Sequence, residues 1–543
     1  MSSILLTTIA LPFIGAVVFG LLGSERIAKA GTLAITIVTA LLAIYLGSQF
    51  DGSEAVLGVV DASWLSPESG IDIRLAVGLD GLSIWMFCLS AILMLTAVLV
   101  SWEAIRDRAS LFYSMLLLLE CGCLGVFAAR DIMLFYVFFE FTLIPLFFLI
   151  GIWGSEDRRY AAQKFFIFTL AGSLLTFLGL IAIVAWDYST QGAGATLRFS
   201  IPALTESLAA NPIRPQGWQV AIFLALFAGF AIKVPLFPLH TWLPLAHVQA
   251  PTAGSVFLAG ILLKIGTYGF FRFSLPMLPD ATAVCMPWLL WLSVIGIVYG
   301  ALVALAQPDM KRLIAYSSVS HLGFVMLGLF ALNRIGTQGA ALQMVNHGIS
   351  TGGLFALVGM LYERYHTREI SKFGGLARKL PIMAFFMVVF TLSSIGMPGL
   401  NGFAGEIMIL IGMFQRAFAE GPSSLALQPV AVLAVTGVIL GAWYMLWLVQ
   451  RVFFGPLKEP THGEGEHVIN DLNFREIAAL APLAFLALWI GLCPNFFLTK
   501  MNSEVNAATD RAALAVGNVY LEDDLMGDAR SPEPTFELAE ASK

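Results

Sequence analysis

An all-α, polytopic membrane protein of about fourteen transmembrane helices is what this sequence predicts, on three observations. Hydrophobic residues make up 58% of the 543 and charged residues 12%. A soluble domain needs charges at roughly a quarter to a third of its surface positions. Apolar runs of bilayer-crossing length recur along the whole chain. Basic residues fall unevenly between alternate loops, as they do in membrane proteins of fixed orientation.

The runs lie at 4–22, 30–49, 79–101, 111–129, 131–153, 161–186, 217–239, 251–273, 284–306, 311–332, 338–361, 381–414, 426–453 and 475–498. Mean hydropathy is +0.83. The first run reads as a retained span rather than a signal peptide. No Lys or Arg precedes Arg26, although Ala28-Lys29-Ala30 resembles a cleavage site. Of the 30 basic residues, 17 fall in odd-numbered loops, 7 in even-numbered loops and 4 after the last run, which leaves Lys233 and Lys264 inside spans. The odd loops are therefore expected at the cytoplasmic (or matrix) face, with both termini on the other side. The second loop, 51–78, is read as an acidic outer loop carrying Asp51, Glu54, Asp61, Glu68 and Asp72. The stretch after Lys500, with Ser531-Pro532-Glu533-Pro534, is read as a poorly ordered or docking extension.

Composition also excludes function classes. A net charge of −6 leaves no nucleic-acid footprint. Cys88, Cys121, Cys123, Cys285 and Cys493 all lie in apolar runs and form no second pair at cluster spacing, so they read as buried apolar residues. No dinucleotide fingerprint or Walker loop occurs, and no histidine pair has carboxylate support at metal spacing. The expectation is neither redox cofactor, nucleotide nor metal in this chain.

Two long runs are interrupted by Pro or Gly beside a buried ionisable residue. One is Lys233-Val234-Pro235-Leu236-Phe237-Pro238, and the other is Gly396-Met397-Pro398-Gly399-Leu400-Asn401-Gly402 before Glu406. They sit five spans apart, so the second enters from the opposite side. Paired broken helices of this kind mark inverted repeats around an ion site. The expected organisation is three leading helices (1–110), a first repeat (111–273), a second, inverted repeat (284–453), a last helix (475–498) and a polar acidic tail (499–543).

A charge at mid-membrane costs about 3 to more than 10 kcal/mol, so each such residue needs a reason. Glu140 lies mid-run, and Pro145 five residues on deprives the Phe141 carbonyl of its donor. Its plainer reading is a structural ion pair. Lys233 sits where Pro235 and Pro238 free the carbonyls of Ala231 and Val234, which can solvate an ammonium. Desolvation disfavours the charged amine and equips it to load and release a proton. Its plainer reading is snorkelling to an interface. Lys264 is mid-span one helix later, and Glu406 is the acidic end of the row. His321 and His347 are intramembrane and suit a relay, or are neutral interhelical hydrogen-bonders. His240 and His247, flanking the seventh loop near the cytoplasmic surface, are candidates for a proton entrance. His366, His462 and His467 lie in loops and carry no assignment. The sum is a Glu–Lys–Lys/His–Glu series with the proton as substrate.

The stretch KVPLFPLHTWLPLAHVQAPTAGSVFLAGILLKIGTYGFFRF resembles the signature of the antiporter-like subunits of complex I, which are similar to subunits of multi-subunit sodium/proton antiporters. FYVFFEFTLIPLFFLIGIWGSEDRRYAAQKFFIFTLAGS, KRLIAYSSVSHLGFVMLG and GMPGLNGFAGE fit one branch of that family. The resemblance covers about residues 80–455. It implies that Glu140 and Lys233 form a coupled carboxylate–lysine pair, Lys264 is the central relay, Glu406 the terminal carboxylate, and His321 and His347 line the connecting axis. It implies that NADH, flavin, iron–sulfur clusters and quinone belong to partner subunits. It also implies insertion in the bacterial plasma membrane between similar antiporter-like subunits. A sodium/proton antiporter and a membrane-bound hydrogenase share this machinery and remain alternatives. A purely structural scaffold would leave four buried charges unexplained.

Overall fold

The computed structural model describes residues 1–52, 55–65, 67–192, 194–419, 424–460 and 469–528. His462, His467 and Ser531–Pro534 lie outside them. Among the described residues thirteen helices are long and apolar enough to cross a membrane, and the twelfth apolar run forms the shorter helix Pro381–Ser394 followed, after a break, by Asn401–Ala417. Together these account for the fourteen expected spans.

The spans do not share the same surroundings. The eighth (Thr252–Met277), tenth (Met310–Phe330) and eleventh (Arg334–Tyr365) are enclosed by other helices almost throughout. The first (Ser2–Leu22), second (Glu25–Gln49) and fourteenth (Phe474–Leu492) turn broad apolar faces outward, with Leu6, Phe13, Ile14, Leu41 and Phe485 exposed. A helix facing lipid must be apolar, whereas an enclosed one can afford polar groups that find partners on its neighbours. The enclosed helices are where the polar residues collect. The tenth packs against the ninth (Pro279–Leu305) and the eleventh, and the eleventh packs against Asn401–Ala417.

Three local features depart from expectation. Residues 51–78 are not a bare acidic loop. β1 (Leu57–Leu65) and β2 (Ile71–Leu79) form an antiparallel hairpin, and β3 (Leu197–Arg198) adds parallel to β2. Asp61 and Asp72 are tied to Arg74 within the hairpin, at 3.1 and 2.9 Å. The chain after the fourteenth span is helical over Pro494–Asp528. It lies across the end bearing the even-numbered loops, where Thr509 donates to Thr337 at 2.9 Å and Arg511 to the Thr205 carbonyl at 3.0 Å. Polar composition was a poor guide there, because tertiary contacts order an amphipathic helix. Finally, Cys493 is exposed at the end of the fourteenth span, while the other four cysteines are buried.

Candidate functional site

Both broken helices are present, and they break in the same way. The seventh span ends at Lys233 (Gln216–Lys233), and the Leu236 amide reaches back to the Ala231 carbonyl at 2.9 Å. The Ala231 carbonyl therefore already accepts one hydrogen bond, from the Leu236 amide. In the second break the Met397 amide reaches the Leu392 carbonyl at 3.0 Å. Counted from this shared bond, Ser394 stands where Lys233 stands. The two ionisable groups are thus not at equivalent positions: Lys233 precedes its break, and Glu406 follows its own.

Gly396 makes the second break possible. Its φ is +70°, in the left-handed region, and a Cβ there would come within 2.8 Å of Glu406 Oε2. The same turn that reverses the backbone therefore seats the carboxylate.

The eighth span contains two turns of π-helix, Leu258–Leu262 and Phe270–Ser274. A π-turn leaves carbonyls short of their usual amide partners. Lys264 uses one of them, donating to the Ala259 carbonyl. Its Nζ also lies 2.7 Å from His347 Nδ1 on the eleventh span. The His347 ring stands 5.7 Å from that of His321, centroid to centroid. His321 Nδ1 lies 3.2 Å from Glu406 Oε1, and its Nε2 faces Ser394 Oγ at 3.2 Å and the Tyr444 hydroxyl at 3.3 Å. Gln343 donates to the same Glu406 oxygen at 3.1 Å. Lys264, His347, His321 and Glu406 are all buried. Four protonatable groups from four helices thus form one file, with a single gap between the two imidazoles.

Glu140 and Lys233 lie apart from this file. Lys233 is buried, with Nζ 4.5 Å from the Phe139 ring centroid. Glu140 is half-buried, with Oε1 unpartnered. Among the described residues no direct ion pair joins them, so the plainer reading of Glu140 as half of a structural pair finds no partner. The chain around Glu140 does break, into Ile132–Phe141 and Leu143–Trp153, as Pro145 requires. His240 and His247 are not at a surface: both are buried, His247 completely.

Several residues escaped the sequence reading. Gln343, Asn346, Ser350 and Thr351 flank His347 in a polar stripe at helical spacing on the eleventh span, which the eye for charges alone passes over. Asn346 donates to Gln343 at 3.0 Å and to the Asn401 carbonyl at 2.8 Å, bracing the second break. Glu120 is fully buried with both carboxyl oxygens unpartnered. Lys311, counted as a loop charge, is buried and donates to the Ala250 carbonyl at 2.6 Å. Arg272 is paired with Asp80 at 2.7 Å.

An enclosed file of titratable side chains, with broken helices in the same bundle, is the kind of arrangement found in polytopic membrane proteins that move ions through their own interior. A model of the NADH:quinone oxidoreductase/Mrp antiporter transmembrane family matches residues 129–421. NADH-quinone oxidoreductase subunit M of Rhodobacter capsulatus is 42% identical over 473 residues, covering 87% of this chain and 88% of its own. A chain of respiratory complex I from Thermus thermophilus superposes with a TM-score of 0.80 at 31% identity, covering 94% of this chain and 99% of its own. A chain of the Mrp complex from Dietzia sp. DQ12-45-1b shares the fold, with a TM-score of 0.78 at 21% identity, over 95% and 100% of the two chains. The chain belongs to the NADH:quinone oxidoreductase/Mrp antiporter family, on its complex I subunit M branch.

Proposed function

We propose that this chain is a proton-translocating membrane-arm subunit of an NADH-quinone oxidoreductase, moving protons along its buried file in step with quinone reduction in partner subunits. The observation that carries the reading is the Lys264–His347–His321–Glu406 file. Each member is a group that can take up and pass on a proton. Coulomb coupling between neighbours is strong where water is scarce, so a proton arriving at Lys264 changes the cost of charge at His347 and beyond. Glu140 and Lys233 supply the remaining carboxylate and amine. The twin backbone breaks support their origin in two inverted repeats. NADH, flavin, iron–sulfur clusters and quinone would be held by the partners. The exposed apolar flanks of the outer helices suit neighbouring antiporter-like subunits and lipid.

The test uses membrane vesicles from cells carrying Lys233→Met, with NADH-driven quinone reduction and proton pumping recorded together and the complex quantified on a native gel. The expected result is that both fall while the complex remains assembled. If both stay normal and pH-dependent sodium exchange is lost instead, the antiporter reading replaces this one.

A further inference from the structure

A cavity of about 900 Å³ opens at the end bearing the odd-numbered loops, between the third and the fifth of them. Its walls carry Arg106 and Arg108 from the third loop and Arg158 and Arg159 from the fifth, against one carboxylate, Asp107. All four arginines are exposed, and among the described residues none of them forms an ion pair. The positive-inside rule accounts for arginines in these loops. It does not require two loops to bring four of them to one cavity and leave them there without carboxylate partners.

The backbone adds to the positive field. The fourth span (Ala109–Ala128) and the sixth (Arg158–Thr190) both begin at this cavity, and neither has an acidic residue in its first turn or a side-chain cap. A helix start presents unbonded amides and the positive end of the helix dipole, and both favour an anion. Arg108 stands at the start of the fourth span with φ of +50°, in the left-handed region that glycine or asparagine enters more easily. An arginine held there against its backbone preference points to a use for its side chain. Arg158 donates to the Gly154 carbonyl at 3.3 Å, and its guanidinium has further donors to offer.

The remaining wall belongs to the membrane interface. Trp153 ends the fifth span there, and its Nε1 donates to the Asp107 carbonyl at 2.8 Å. Tryptophan concentrates at the depth of lipid headgroups. Ile152, next to it in the wall, continues a ridge with Phe148 and Ile144 at i, i+4 spacing. Phe148 and Ile144 are exposed, and so is Leu111 in the first turn of the fourth span. At 1.5 Å per residue the ridge runs about 12 Å along the fifth span, away from the arginines. A cationic cavity above an exposed apolar ridge suits a ligand with an anionic head and an apolar tail.

We propose that this cavity binds the phosphate headgroup of an anionic phospholipid from the odd-loop leaflet, with its acyl chains along the Ile144–Phe148 ridge. Guanidinium forks match phosphate oxygens in shape as well as charge, so the arginines hold the head while the ridge takes the tail. The site stands apart from the proton file and does not depend on it. The test reconstitutes the complex that contains this chain in phosphatidylcholine vesicles. Each preparation carries a trace of phosphatidylglycerol or of phosphatidylcholine with a photoactivatable headgroup, and cross-linked peptides are mapped by mass spectrometry. The phosphatidylglycerol probe is expected to label residues 104–108 and 151–159, and unlabelled phosphatidylglycerol to displace it. Arg108→Gln combined with Arg158→Gln should cut that labelling about tenfold or more. Equal labelling by the phosphatidylcholine probe would mean ordinary lipid contact and overturn the proposal. Displacement by inorganic phosphate as effective as by phosphatidylglycerol would assign the cavity to a soluble anion instead. Labelling that appears only after the complex is dissociated would give the cavity to an acidic segment of a partner subunit. Should the double variant fail to assemble, Arg106→Gln combined with Arg159→Gln takes its place, and undiminished labelling in an assembled variant refutes the site.

Discussion

Lys264 and His347 meet nitrogen to nitrogen at 2.7 Å, deep between the eighth and eleventh spans. At that distance one proton serves two nitrogens, and which of them donates depends on the protonation state and the imidazole tautomer. Two full charges in this place would repel strongly, because few dipoles are free to screen them. Removing either partner should therefore abolish the shared function rather than half of it. His347→Leu is expected to cut coupled pumping about tenfold or more, ~1.4 kcal/mol, and the double variant with Lys264→Met to be no worse than the worse single. Vesicle pumping rates read as a double-mutant cycle check this; losses that simply multiply would mean the two act independently.

Gly396 holds a left-handed φ of +70° and leaves room for the Glu406 carboxylate. Gly396→Ala adds about 1–2 kcal/mol of backbone strain and pushes the carboxylate away from His321. The expectation is a complex that assembles with a lower melting temperature and a larger loss of pumping than of stability. Pumping at the parent rate, measured beside thermal unfolding, would show that the seat of Glu406 is not critical.

Asp80 accepts from Arg272 at 2.7 Å, with Arg130 4.0 Å away. Burial alone would raise its pKa, but the two guanidinium groups and the Ser83 amide outweigh burial and hold it below the usual carboxylate range. A carboxylate depressed in the folded state stabilises it above the unfolded pKa, near 3.9, and that contribution fades as pH falls through the lower folded value. Its share of stability should thus be flat from about pH 5 to 8. Asp80→Asn leaves Arg272 buried without its counter-ion, a loss of about 3–5 kcal/mol. Complex yield and melting temperature between pH 5 and 8 test both statements; a variant deficit that shrinks within that range would contradict them.

Arg364 grips Glu476 through two bonds of 2.8 and 2.7 Å, and Glu476 also closes the capping box with Asn473 that starts the fourteenth span. Arg364→Lys keeps the charge and loses the fork. It is therefore expected to assemble poorly, almost as poorly as Arg364→Met. Native-gel yields of the two would show this, and full recovery with lysine would mean that charge alone secures the helix.

Much of the architecture was legible because a bilayer imposes simple rules. Length, hydropathy and loop charge locate spans without any knowledge of packing. The two helix breaks were visible as Pro and Gly in apolar text, and Lys264 and Glu406 as charges where charges are expensive. The polar stripe from Gln343 to Thr351 was equally available at helical spacing, yet amides and hydroxyls are cheap enough to be overlooked.

What the sequence by itself determined is the set of helices, the groups able to carry protons and the two places where helices must break. Only the tertiary structure decided which groups meet. Glu140 and Lys233, natural partners on paper, form no direct pair. Lys264 and His347, two bases, share a hydrogen bond, and His321 turns to Glu406. Nor could sequence show that Lys311 lies buried against a carbonyl, or that residues 494–528 fold back as a helix. The reason is physical. Transfer from water to lipid is fixed residue by residue, whereas a hydrogen bond between side chains 83 positions apart exists only once the helices that carry them have packed.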